Sequence, residues 1–112
     1  MFTLKKTKEN FKILNFSDPQ IGDGSWHYKT DEGYRILAGT VKELIERVKP
    51  DLITVSGDIA YSGQLIAYKG FSEYIDGFNI PWAFVFGNHD NQGGPDLTEQ
   101  AVKEMLTSKN CI

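Results

Sequence analysis

The sequence predicts an α/β fold of βαβαβα order with parallel strands. Three features predict it: short apolar runs recur along the chain, amphipathic stretches of helical period alternate with them, and each run ends in a polar turn of similar chemistry.

The first run, Phe11 to Phe16 (FKILNF), is aliphatic and aromatic and reads as a buried strand. Next, Tyr34, Leu37, Val41, Leu44, Ile45 and Val48 recur at the spacing of one helix face, and Pro50 stops that helix. Leu52 to Val55 (LITV) reads as the second buried strand. Ile66, Tyr68, Phe71, Tyr74 and Ile75 give a second, weaker helical pattern, closed by Gly77 and followed by Pro81. Trp82 to Phe86 (WAFVF) is the third strand, and Leu97, Ala101, Val102, Met105 and Leu106 mark a last helix with Pro95, Asp96 and Thr98 near its start. Alternation of this kind implies right-handed crossovers and helices packed on a parallel sheet. Cys111 and Ile112 have the character of the start of a further apolar run, and a sheet of so few strands leaves edges open to pairing, self-association included.

Composition narrows the function. The 112 residues are 40% hydrophobic and 24% charged, as in a globular domain with one modest core. A formal net charge of -3 argues against non-specific nucleic-acid binding, which needs clustered Lys and Arg; the one basic cluster is Lys5, Lys6 and Lys8. Met1 to Asn10 are too polar for the core of a secretory signal, and no apolar run approaches the ~20 residues of a membrane span, so a cytoplasmic protein without membrane partners is expected. Cys111 is the sole cysteine, which rules out an internal disulfide and a thiolate-rich zinc site.

In open α/β sheets, ligands bind beyond the carboxyl ends of the strands. Here the first strand runs into Ser17-Asp18-Pro19-Gln20, the second into Ser56-Gly57-Asp58 and the third into Gly87-Asn88-His89-Asp90. Carboxylates, amide oxygens and an imidazole gathered on one edge suit hard or borderline metal ions, and two such ions can clamp and polarise a phosphate ester. Asp58, central in order, is the natural bridging ligand. Each residue also has a plainer reading, since Asp after a strand commonly caps a turn or the next helix.

At these residues the sequence resembles the calcineurin-like metallophosphoesterases, whose first half carries Asp-x-His, Gly-Asp and Gly-Asn-His-(Asp/Glu) at successive strand ends. They stand here as Asp18-Pro19-Gln20, Gly57-Asp58 and Gly87-Asn88-His89-Asp90, and the stretch from Ile80 to Asp90 is most similar to the purple acid phosphatase-like branch. The resemblance implies a metallophosphoesterase-type α/β sandwich and hydrolysis of phosphate mono- or diesters, on small molecules or phosphoproteins, with two Mn, Fe or Zn ions. Residues 1–112 would be the N-terminal portion of a single such domain. Asp18 would ligate one ion, Asp58 would bridge both, Asn88 would bind the second, and His89 would act at the phosphate as an acid or charge stabiliser with Asp90 orienting its ring.

Two departures from the family pattern matter. Gln20 replaces the expected His, and either of two residues can compensate. Purple acid phosphatases use a Tyr in Gly-Asp-x-x-Tyr, matched here by Gly57-Asp58-Ile59-Ala60-Tyr61, whereas manganese-dependent ADP-ribose pyrophosphatases carry Gln at the Gln20 position. Tyr61 is equally readable as a packed aromatic. The second departure is that the family's Gly-His-x-His motif has no counterpart, because the sequence contains only His27 and His89. These 112 residues alone should therefore bind metal weakly and turn over poorly. The other readings are a nucleoside-diphosphate-linked pyrophosphatase and a degenerate phosphoesterase acting as an interaction module. A flavodoxin-like receiver domain ranks lower, since Gly-Asn-His-Asp has no function there. The aromatic loop with Trp26, His27 and Tyr28 could reach a leaving group or be an ordinary surface loop.

Overall fold

The computed structural model describes residues 9–19, 32–60 and 65–112. Strands β1 (Ile13–Phe16), β2 (Leu52–Ser56) and β3 (Trp82–Val85) alternate with helices α1 (Glu32–Val48), α2 (Leu65–Asp76) and α3 (Pro95–Leu106), with a 3-10 turn at His89–Asn91 before α3. This is the α/β alternation expected, and both strand pairings are parallel.

Helical periodicity decides what each helix buries. Ala38, Val41 and Ile45 of α1 fall on one face and are buried. The helix ends at Lys49, whose φ of 52° leaves the helical region. Its N–H still reaches the Ile45 carbonyl at 2.8 Å, satisfying a terminal acceptor before Pro50. In α2, Ala67, Tyr68, Phe71 and Ile75 are buried. That helix closes with Gly77 N–H on the Glu73 carbonyl and Phe78 N–H on that of Ile75, and Asn79 takes a left-handed φ of 57°. In α3, Pro95 occupies the first turn, where its missing N–H costs nothing, and Ala101 and Met105 are buried.

The strand order is β1-β2-β3, with Phe16 opposite Val55 and Ser56 opposite Val85. An order that never reverses, joined by right-handed crossovers, sends α1 and α2 to the same face. Leu14, Phe16, Ile53, Val55, Trp82 and Phe84 belong to that face and pack with the three helices in one cluster. Trp82 is at its centre, edge-on to Phe71 with ring centroids 6.4 Å apart. Its indole N–H donates to Asp76 Oδ1 at 3.1 Å, and the same oxygen accepts the Asn110 amide at 2.8 Å.

The opposite side of the sheet is less covered than the reading of buried strands suggests. Ile13 is 59% and Val85 61% exposed there, because no described helix packs on that face. Its middle is polar: Asn15 Nδ2 donates to Thr54 Oγ1 at 2.8 Å, and Ser56 Oγ donates to Asn15 Oδ1 at 3.3 Å. Along the free edge of β3, Cys111 forms an isolated parallel bridge with Trp82. Among the described residues no helix is long and apolar enough to cross a membrane.

Candidate active site

Parallel register brings the three strand exits to one edge of the sheet, and backbone contacts tie each exit to the next. Asp18 N–H donates to the Gly57 carbonyl at 3.2 Å, which links the first exit to the second. His89 N–H donates to Asp58 Oδ1 at 3.0 Å, which links the second to the third. Asp18 and Asp58 both hold left-handed φ values, 53° and 49°. Asp tolerates this conformation better than most residues, and strain of this kind concentrates at functional sites.

The second and third exits approach so closely that both glycines are obligatory. A Cβ on Gly57, whose φ is 85°, would lie 3.3 Å from the Gly87 backbone. A Cβ on Gly87 would lie 2.3 Å from Asp58 Oδ1 and 2.7 Å from Asp58 N, inside any real contact distance. The absence of a side chain at position 87 is therefore what makes room for the Asp58 carboxylate.

Asp90 does not have the expected role. Its carboxylate is buried and fully engaged by main-chain and phenol donors: Oδ1 accepts Ala60 N–H at 3.1 Å and Tyr68 Oη at 2.8 Å, and Oδ2 accepts Gly87 N–H at 2.8 Å. The His89 ring instead pairs through Nδ1 with Gln92 Nε2 at 2.9 Å. With the Gln92 amide as donor, Nδ1 is the acceptor and the ring proton sits on Nε2. Asp90 is thus a cap that spans two loops, and Gln92 orients the imidazole.

The plainer, capping reading can now be judged residue by residue. It describes Asp90 fully and one oxygen of Asp58. It fails for Asn88, which is exposed at the start of the 3-10 turn and makes no side-chain capping bond. Asp18 is exposed as well, and its Oδ2 accepts the Ser17 hydroxyl. Gln20, Tyr61, Trp26, His27 and Tyr28 lie outside the described residues.

Asp18, Asp58 and Asn88 offer hard oxygen donors on one edge, a set whose chemistry fits divalent cations. The set is partial. Among the described residues no three His, Cys, Asp or Glu side chains form a metal-binding group on their own.

Tyr68 was legible in the sequence only as a core position of α2. It is buried, tilted against Phe86 with ring centroids 5.3 Å apart, and its hydroxyl donates to Asp90. Burial first, then the hydrogen bond to Asp90, and then the Asp90 and Asp58 charges push its pKa well above the ordinary phenol range, so it remains a donor. The signal available in the sequence was a phenol among apolar helix positions, since a buried hydroxyl needs a partner.

Comparison with known proteins decides the family. The calcineurin-like phosphoesterase family model matches residues 11–110, and so spans every motif described above. The chain belongs to the calcineurin-like phosphoesterase family. This calcineurin-like chain is 30% identical to a probable glycerophosphodiester phosphodiesterase of Arcobacter nitrofigilis, over 70% of the chain and 30% of that protein. It is 28% identical to the phosphatase DCR2 of Saccharomyces cerevisiae, over 93% of the chain and 20% of that protein. It is 24% identical to a probable cyclic nucleotide phosphodiesterase of Vesicomyosocius okutanii, over 80% of the chain and 37% of that protein. The chain thus spans well under half the length of these relatives.

Proposed function

We propose that the protein hydrolyses phosphate mono- or diesters at a dinuclear metal centre whose first ligands come from the carboxyl ends of β1, β2 and β3. The observation that carries this reading is the tie between His89 N–H and Asp58 Oδ1, which sets the Gly-Asn-His loop against the Gly-Asp loop. Family membership and relatives bearing phosphodiesterase and phosphatase names support it.

When bound, divalent metals supply Lewis-acid polarisation of the ester and an activated water nucleophile. Asp18, Asp58 and Asn88 are the residues that would hold them. Asp58 is placed for this because its Oδ1 is fixed by the His89 amide while Oδ2 takes no hydrogen bond among the described residues. His89, whose Nδ1 is taken by Gln92, has Nε2 left to donate to a leaving oxygen or to developing phosphoryl charge. The reading as a purple acid phosphatase-like branch draws on the Ile80 to Asp90 stretch and on the Gly57-Asp58-Ile59-Ala60-Tyr61 spacing, with Tyr61 a ligand to ferric iron. A tyrosinate-to-iron charge-transfer band would support that ligand, and a colourless iron-loaded protein would remove it.

The test is hydrolysis of an aryl phosphate monoester and a matching diester by the full-length protein with manganese, beside a chelated sample and Asp58→Asn. The substituted amide retains an oxygen for the His89 N–H, so the fold should persist. Turnover lost in both controls supports the reading. Equal activity with Asp58→Asn would refute the ligand role of Asp58.

A further inference from the structure

Asp90 also joins the second strand exit, through Ala60 N–H, to the third, through Gly87 N–H, and it does so from a buried position. No cation is paired with it among the described residues, so the charge of this carboxylate is balanced by hydrogen bonds alone. Tyr68 supplies the one side-chain donor among them, at 2.8 Å, and reaches the site from the first turn of α2. Phe86 packs against its ring, with centroids 5.3 Å apart.

We propose that Tyr68 is a positioning residue for the phosphoesterase site: through Asp90 it holds the Gly87–His89 loop against the Asp58 loop. The proposal rests on the functional reading of the preceding subsection for its catalytic consequence, but its structural core stands on these contacts alone. Without the hydroxyl, Asp90 Oδ1 keeps only the Ala60 amide, and the buried charge turns toward water or another rotamer. Gly87 N–H then loses its acceptor, and the loop carrying Asn88 and His89 is released from Asp58.

Tyr68→Phe keeps the ring and its packing and removes only the hydroxyl. Amide hydrogen exchange in this chain, read residue by residue, should speed up at least ~10-fold at Ala60, Gly87 and His89 while the α1 and β1 amides keep their rates. Unchanged exchange at those three amides would overturn the proposal, and so would acceleration spread evenly over the chain, which means general loss of stability. In the manganese assay, kcat should fall about 10- to 100-fold with KM nearly constant, as expected when a positioned group drifts from its place. Absence of metal-dependent hydrolysis in the unsubstituted full-length protein would sink the proposed activity instead, and the exchange rates would still decide the role of Tyr68.

Discussion

The Asp58 carboxylate occupies the space that a side chain on Gly87 would fill, with its Oδ1 only 2.3 Å from the ideal Cβ position. That relationship joins two motifs thirty residues apart in the chain into one feature, since the Gly of the third strand exit serves the Asp of the second.

Gly87→Ala should therefore damage the site more than the fold. Asp58 must rotate or the loops must separate, and a misplacement near 1 Å costs about 100-fold in rate. Overpacking should cost about 1–3 kcal/mol of stability. Urea denaturation together with kcat/KM measures both. A variant with wild-type kcat/KM would show that Asp58 does not need this position.

Asp76→Ala should destabilise by about 1–3 kcal/mol, because it leaves the buried Trp82 indole N–H and the Asn110 amide without their shared acceptor. The tryptophan emission should shift as the indole loses its partner. Denaturation midpoints within error of wild type would mean that water replaces the carboxylate.

The two faces of the sheet predict opposite tolerances. Ile53→Ala removes a fully buried side chain and should cost about 2–5 kcal/mol. Ile13→Ala, on the exposed face, should stay within about 0.5 kcal/mol. Equal costs would mean that the exposed face is covered in solution.

Gly39 lies inside α1, where a Cβ would meet nothing within 4 Å. Gly39→Ala should raise stability by about 0.4–1 kcal/mol through the unfolded chain alone. A lowered thermal midpoint would contradict the open surroundings of that position.

Cys111 is pushed up to about 11, first by burial and then by the Asp76 charge. A raised folded pKa means that the unfolded chain releases this proton first as pH rises. The contribution is intact below the ordinary thiol value near ~8.5 and is lost as pH climbs through about 11. Alkylation of the native chain at pH 8 should accordingly be much slower than in urea, and Cys111→Ala should flatten the alkaline limb of the stability profile. Equal alkylation rates in both states would remove the shift.

Much of this was legible in the letters, and the exceptions have physical causes. Strands and helices were readable because runs such as LITV and WAFVF differ in period from the pattern of Val41, Leu44, Ile45 and Val48. The observed strand bounds are close to those runs, with β1 starting at Ile13 rather than Phe11. Which face of the sheet carries the helices was not legible, although Asn15, Thr54 and Ser56 already alternate with apolar neighbours, because strand order, which no local pattern reveals, decides where the helices go. Asp90 was misread because a carboxylate that caps backbone amides and one that orients an imidazole look identical in sequence; only burial and donor geometry separate them.

The order β1-β2-β3 has a further consequence, in time rather than in space. During synthesis Ile13 waits only for Leu52 to emerge, and Ile53 then only for Trp82, so the sheet can grow strand by strand at a single edge without opening an earlier pair. Each addition would also deliver one more exit loop to the same rim, so chain order and site order coincide.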